Sequence, residues 1–283
     1  MTNRKSKIRV SVLLCAYNAE AVIRTAIESV LAQTFRDFEF IIIDDGSTDN
    51  TRLIVQGYQD SRIKLVACKH NYIHSLNVGL RKCHGTYIAR LDADDMMMPE
   101  RLATQLEVMD ADAQIAVCCS WGVTFGDVEK MIGHHVREYV DNAYFWLLTG
   151  NYLMHPSAML RREFLKANRI YYKDYPYAED YKLWTDITMK GGKIYVIPKE
   201  LLKYRVSSSQ VSFRHHEQQV ATRLRIQQEV LEHLLSELKH PQQRELRHVY
   251  RTMMKLNDAE LLQGDEIIYI MYKLLRRTKA FVK

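Results

Sequence analysis

Several features that define other protein classes are missing from this 283-residue sequence. No stretch of eighteen or more apolar residues occurs, and Met1 to Arg9 is polar and basic with no apolar core behind it. Neither a spanning helix nor a secretory signal is expected, and the chain is expected to be made and kept in the cytosol. Cysteine is sparse: Cys15, Cys68, Cys83, Cys118 and Cys119 are odd in number and include no C-x-x-C pair. That fits reduced, mostly buried thiols better than a disulfide frame or a zinc site. Glycine-rich phosphate loops are missing too. A dinucleotide site wants G-x-G-x-x-G after the first strand, where this chain reads Cys15-Ala16-Tyr17-Asn18-Ala19-Glu20, and no G-x-x-x-x-G-K-[ST] loop occurs. Net charge is only +6, and residues 214–283 hold 13 Lys and Arg against 9 Asp and Glu, leaving 27 against 25 upstream. So small a surplus, without a nucleic-acid-binding motif, argues against a nucleic-acid partner.

What is present is alternation. The length allows one large domain or a domain with an appendage. Apolar runs at Arg9–Cys15 and Phe38–Ile43 read as buried strands, and Ile63–Ala67 and Tyr87–Leu91 as a third and a fourth strand. Between them, apolar residues recur at helical spacing (Val22, Ala26, Ile27, Val30, Leu31), and further helices are expected over about 49–58 and 75–83. Asn18 is placed to cap the first helix. Strands alternating with helices imply right-handed crossovers and a parallel sheet. Polar clusters follow the first strand (Ala16-Tyr17-Asn18), the second (Asp44-Asp45) and the fourth (Asp92-Ala93-Asp94-Asp95), so all three are expected on one rim, where open α/β sheets bind ligands.

Three carboxylates within four residues, Asp92, Asp94 and Asp95, repel one another unless a cation sits among them. A hard divalent ion takes oxygen ligands and keeps positions for water or phosphate, so Asp92-Ala93-Asp94 reads as a D-x-D metal site for Mg²⁺ or Mn²⁺; a solvated acidic turn is the alternative. With no glycine-rich cradle, a diphosphate beside carboxylates needs such an ion between the two anions. Tyr17 suits stacking on a base and Asp44 suits accepting a hydrogen bond from it; the alternatives are a buried packing tyrosine and a turn-capping aspartate.

Val10 to Asn18, Ser29 to Phe35, Phe38 to Asp49 and Gly85 to Asp95 resemble, in that order, the family 2 glycosyltransferases of the GT-A fold, a resemblance covering about the first 205 residues. It implies a Rossmann-like, mostly parallel sheet flanked by helices, with residues 1–100 as nucleotide half, 101–205 as acceptor half and 206–283 as a helical extension. It also implies an inverting enzyme that moves a hexosyl or N-acetylhexosaminyl group from a nucleotide-sugar donor, UDP-linked by preference, to a saccharide or lipid-linked acceptor. By position Tyr17, Asn18 and Asp44 would serve the nucleotide, Asp92 the ribose or metal, and Asp94 the metal. His155, in Met154 to Arg162, would touch donor or acceptor unless it is structural. Glu179-Asp180 is similar to the family's acidic "ED" signature, and inversion needs a carboxylate on the sugar face opposite the leaving diphosphate to take the acceptor's proton. Asp180 is the candidate base. Helix N-terminal placement alone would also explain the pair, and would lower a carboxyl pKa unless burial or neighbouring negative charge opposed it. Some metal-dependent relatives carry a histidine ligand near Tyr204-Arg205; Arg205 would instead neutralise the departing diphosphate or pair with a surface acid.

Further strands are expected at Ile115–Trp121 and Lys193–Ile197, with a short helix at Asp141–Leu148 and another from Ala178 to about Lys190. In the extension, Val220, Leu224, Leu231, Leu235 and Leu238 share a helix face, Pro241 breaks that helix, and Ile267–Arg277 pairs an apolar face with basic residues. That last helix packs on the catalytic domain, joins a second copy as a homodimer, or lies on the inner face of a membrane to reach a lipid-linked acceptor. Two rivals remain at this point. A D-x-D phosphatase or phosphotransferase would show D-x-D-x-[TV], where Met96 stands; an inactive sugar-nucleotide binding or scaffold subunit differs only in lacking turnover.

Overall fold

The computed structural model describes residues 8–127, 129–133, 136, 138–140, 142–206, 215–239 and 241–278. β1 (Val10–Ala16), β2 (Phe38–Asp44), β3 (Ile63–Ala67) and β4 (Tyr87–Asp92) pair in parallel in the order β3-β2-β1-β4. Side chains on a strand alternate faces, and here alternation sorts the core in two. Val12, Leu14, Phe40, Ile42 and Leu91 enter one apolar cluster, while Leu13, Cys15, Ile41, Ile43 and Ile88 enter the other. Arg90 has the parity of Ile88, so it stands on the second face.

α1 (Ile23–Leu31) and α2 (Thr51–Gln56) connect the first strands, and α3 (Tyr72–Lys82) leads into β4. A side chain at Gly79 would put its Cβ 2.4 Å from Leu13 Cδ1, so glycine lets α3 lie directly on β1. α3 begins at Tyr72, three residues before the expected Ser75, because the Asn71 side chain caps it by accepting from His74 N at 2.9 Å. The expected cap at Asn18 is not found. Asn18 sits at φ 47° and accepts from Thr48 N at 2.8 Å, which ties the loops after β1 and β2 together instead.

The second half extends the same sheet in mixed fashion. β9 (Met159–Arg161) runs antiparallel to β4 and to β6 (Ile115–Gly126), and β6 pairs in parallel with β10 (Lys193–Val206). β10 continues the strand expected at 193–197 as far as Val206, through register shifts between Ile197 and Leu202. Short strands β5 (Met96–Met97), β7 (Met131–Ile132) and β8 (Glu138–Tyr139) complete it, all three too short to show periodicity in sequence. α4 (Arg101–Ala111), α5 (Ala143–Leu147), α6 (Arg162–Ala167) and α7 (Glu179–Met189) flank the sheet; residue 141, where α5 was expected to begin, lies outside the described residues.

α8 (His216–Glu237), α9 (Gln242–Asp258) and α10 (Gly264–Arg277) form the extension. Ile226, Val230, Leu231, Leu234 and Leu235 of α8 join the core cluster that contains Trp184 and Ile187 of α7. Lys182 clamps the contact by binding Asp186 and Glu229, each at 2.8 Å. Ile267, Ile268, Met271 and Leu275 of α10 are buried in the same cluster. The apolar face proposed for membrane contact is therefore already occupied by protein. No helix of the described residues is long and apolar enough to cross a membrane, and all five cysteines are free thiols.

Candidate active site

The three polar strand ends meet because the register aligns them. Ala16 pairs with Asp44, and Cys15 pairs with Asp92. Beyond β1, Tyr17 is 45 % exposed, which overturns the buried packing alternative. Its ring stacks on His70 with centroids 3.8 Å apart and planes at 22°. His70 is held from below: its Nδ1 lies 3.0 Å from Asp45 Oδ2, and Asp45 Oδ1 accepts from Asn71 N and Ser75 Oγ at 2.8 and 2.6 Å. Gly46, at φ 77°, permits this approach, because a Cβ there would meet His70 N at 2.8 Å. Asp44 is buried, accepts from Ser47 N at 3.1 Å, and has Arg52 Nε 3.8 Å from Oδ2. It thus braces the turn with one oxygen while the other faces a cation.

Arg90 organises the acidic end of β4. Fully buried, it donates from Nη2 to Asp92 Oδ1 at 2.6 Å and to the Tyr72 hydroxyl at 3.0 Å, and from Nη1 to the Leu91 carbonyl. Arg101, also buried, supports the strand from beneath by donating to the Arg90 carbonyl at 2.9 Å. Next along the chain, Asp94 is partly buried; burial and then the Asp92 charge push its pKa up to about 6. Asp95 is fully buried and raised further, by burial first and then by Asp92 and Asp94. Its Oδ1 accepts from Arg205 N at 2.8 Å, but its Oδ2 has no hydrogen-bond partner.

Arg205 is brought here by β10, which pairs antiparallel with β5 immediately after the acidic triplet. Its Nε donates to the Asp94 carbonyl at 3.1 Å and its guanidinium lies over Phe125 at 4.4 Å. The arginine is thus tied to the D-x-D loop through both its backbone N–H and its Nε. His155 is different. It is buried, its Nε2 is 2.7 Å from the Tyr172 hydroxyl, and burial followed by the Arg90 charge holds its pKa well below the usual value. A neutral imidazole already bonded to a buried tyrosine matches the structural alternative.

Glu179 and Asp180 open α7 after Ala178, and the same charge reaches them. Asp180 Oδ2 accepts from Asn151 Nδ2 at 2.8 Å and Oδ1 from Tyr181 N at 2.6 Å. Burial, with the Asp92 charge among the lesser causes, pushes Asp180 up to about 6, against the lowering by its two hydrogen bonds. For Glu179, burial, then Asp180, with a smaller push from Asp92, drive the pKa to about 8. The opposition that a basic carboxylate at a helix N-terminus requires is thus present. The Asp92 charge contributes to raising Asp94, Asp95, Glu179 and Asp180, so the D-x-D and the acidic pair lie within electrostatic reach of one another.

The donor set at the D-x-D is all carboxylate oxygen, crowded by like charge, with an orphaned buried oxygen at Asp95; this fits a hard divalent cation. Among the described residues no group of three or more His, Cys, Asp or Glu is arranged to hold one. An ion would therefore draw few ligands from the chain, as Mg²⁺ commonly does when substrate phosphates and water complete its shell.

Arg90, His70, Tyr72 and Asn151 are missed by reading the sequence for motifs. Only Arg90 left a signal, a charge inside an apolar strand at i−2 from Asp92 and so on its face.

Residues 11–169 match the family model described as "Glycosyl transferase family 2". The UDP-Glc:alpha-D-GlcNAc-diphosphoundecaprenol beta-1,3-glucosyltransferase WfaP of Escherichia coli is 30% identical over 220 residues, covering 72% of this chain and 79% of that one. S. aureus TarS 1-349 in complex with UDP superposes with a TM-score of 0.64 at 23% identity, over 83% of this chain and 68% of that one. The mannosyltransferase PcManGT of Pyrobaculum calidifontis, in complex with GDP-Man and Mn²⁺, covers 97% of this chain and 76% of its own, with a TM-score of 0.58 and 18% identity.

Proposed function

The chain belongs to glycosyl transferase family 2, and from that premise we propose that this glycosyltransferase works by inversion, moving a hexosyl or N-acetylhexosaminyl group from a UDP-sugar to a lipid-linked saccharide with Mg²⁺ or Mn²⁺ bound. The observation that carries this reading is the register that brings the ends of β1, β2 and β4 together, with Asp92 at the end of β4 held by Arg90 at 2.6 Å and close enough to Asp94 and Asp180 for its charge to reach both. The exposed Tyr17–His70 stack offers a platform for the base of the nucleotide, and the WfaP relative supplies the precedent for a UDP donor and a diphosphate-lipid acceptor.

Asp94, with Asp92, would hold the cation, which supplies Lewis-acid stabilisation of the nucleoside diphosphate as it departs. Arg205 adds a fixed positive charge beside the same loop. Arg90 keeps Asp92 in one rotamer and offsets part of the negative charge. At the other end Asp180, held by Asn151 and the Tyr181 amide, takes the proton of the attacking acceptor hydroxyl. A base poised near 6 is ionised at neutral pH yet still basic enough to accept that proton. Glu179, which keeps its proton to higher pH, avoids adding a second charge beside the base. With the five free thiols, this reading places the enzyme in the cytoplasm, at the inner membrane face where a lipid-linked acceptor is met.

A panel of UDP-, GDP- and dTDP-sugars tests it, assayed with a diphosphate-lipid-linked N-acetylhexosamine with and without Mn²⁺. Metal-dependent transfer from one UDP-sugar with inverted anomeric configuration is expected. Retention of configuration, or full activity in excess chelator, would refute the mechanism.

A further inference from the structure

Away from the rim site, a cavity of about 680 Å³ lies in a cleft between α3 and α6. Its apolar lining includes Leu80, Ile88, Leu165 and Ile170. Arg81, Arg162, Lys166 and Arg169 also line it, against Asp174 as the one acid in the lining. Arg162 donates to the Gly85 carbonyl at 2.5 Å, whereas Arg81, Lys166 and Arg169 have no ion-pair partner among the described residues. Apolar wall plus unpaired cations is the complement of an amphipathic anion.

Arg169 adds a second, independent observation. It follows the C-terminus of α6 at φ 54°, while Ile170 N closes the turn on the Leu165 carbonyl at 2.8 Å. That left-handed position is where glycine is ordinarily found and where a long side chain is disfavoured. An arginine kept there, facing a cavity, points to a role for its charge.

The cleft also touches the rim. Asn71, which lines it, donates its backbone N–H to Asp45, the carboxylate under His70. Tyr171, exposed and also in the lining, precedes Tyr172, whose backbone is clamped to Asn77 of α3 by two hydrogen bonds of 2.8 and 2.9 Å. From Asp174 only four residues intervene before Glu179.

We propose that this cleft seats the diphosphate of the acceptor's lipid carrier, the cations holding the phosphates and the apolar wall receiving the first part of the chain. The inference rests on the lipid-linked acceptor argued above. Its test is binding rather than turnover, with farnesyl diphosphate and farnesol as probes on the full chain in EDTA, so that no metal recruits the probe to the D-x-D. The parent protein should bind farnesyl diphosphate at least tenfold more tightly than farnesol. Arg81→Glu/Lys166→Glu should lose at least tenfold in affinity for the diphosphate while UDP binding with Mn²⁺ is unchanged. Arg169→Gly removes the disfavoured backbone position, so it should melt no lower than the parent yet bind the diphosphate several-fold more weakly. Equal affinity for both probes, or unchanged affinity in both variants, overturns the proposal even if transfer to a lipid-linked saccharide is observed. Charge-dependent binding without any such transfer would instead count against the acceptor named under the proposed function.

Discussion

The buried guanidinium of Arg90 holds Asp92 Oδ1 at 2.6 Å, a cation with no exposed surface placed beneath the first acid of the D-x-D. Removing the guanidinium leaves the half-buried Asp92 without its counter-ion and its charged hydrogen bond. Arg90→Met is expected to cost about 1.5–3 kcal/mol of stability, read by urea unfolding. Donor affinity should fall as well, since Asp92 loses its anchor; an unchanged unfolding midpoint would show that the pair does not carry this load.

Asp94→Ala should abolish metal-dependent transfer and the thermal stabilisation by Mn²⁺ with UDP. Both readouts are needed, because a fold defect alone would lower the melting temperature before any metal was added.

Asp180→Asn should keep donor affinity and lose roughly 10²–10⁴-fold in kcat, the usual share of a general base. In the parent, the base must be deprotonated, so kcat/KM should fall as pH drops through about 6. An acid limb that persists unchanged in a residually active Asp180→Asn would assign it to another group.

Glu179 gives a stability prediction of defined sign. Its folded pKa, about 8, lies above the ordinary carboxyl value of 4.5, so the folded state keeps a proton that the unfolded chain has lost. That contribution is full below about pH 4.5 and is lost as pH rises through 8. Glu179→Gln should therefore gain stability relative to the parent at pH 8.5, by on the order of 1 kcal/mol, and the gain should vanish near pH 5. Melting curves across that range check it.

Tyr17→Ala and His70→Ala should each raise the donor KM, roughly tenfold, because stacking on a base contributes about 1–3 kcal/mol. The effect should be smaller on kcat. A double variant no worse than either single one would confirm that the two rings act as one platform.

β1, β2 and β4 were legible because a strand buried on both faces reads as an apolar run, as in Phe40-Ile41-Ile42-Ile43, while β3, partly exposed at the end of the sheet, showed only through Ile63, Leu65 and Val66. β5, β7 and β8 were not legible, since two residues carry no period and owe their pairing to neighbours distant in sequence. Asp94 and Asp180 stand out as acids at strand and helix ends. Asn18 misled, since its side chain ties two loops that meet only after folding.

By itself the sequence determined the order of strands and helices and which acids sit at their ends, because burial periodicity and turn chemistry are local. Tertiary structure alone decided that Asp92 shares a field with Asp180, that Tyr17 rests on His70, and that α10 hides its apolar face in the core. Each of those depends on groups far apart in the chain, whose charge and packing act through space only once the sheet has brought them within reach.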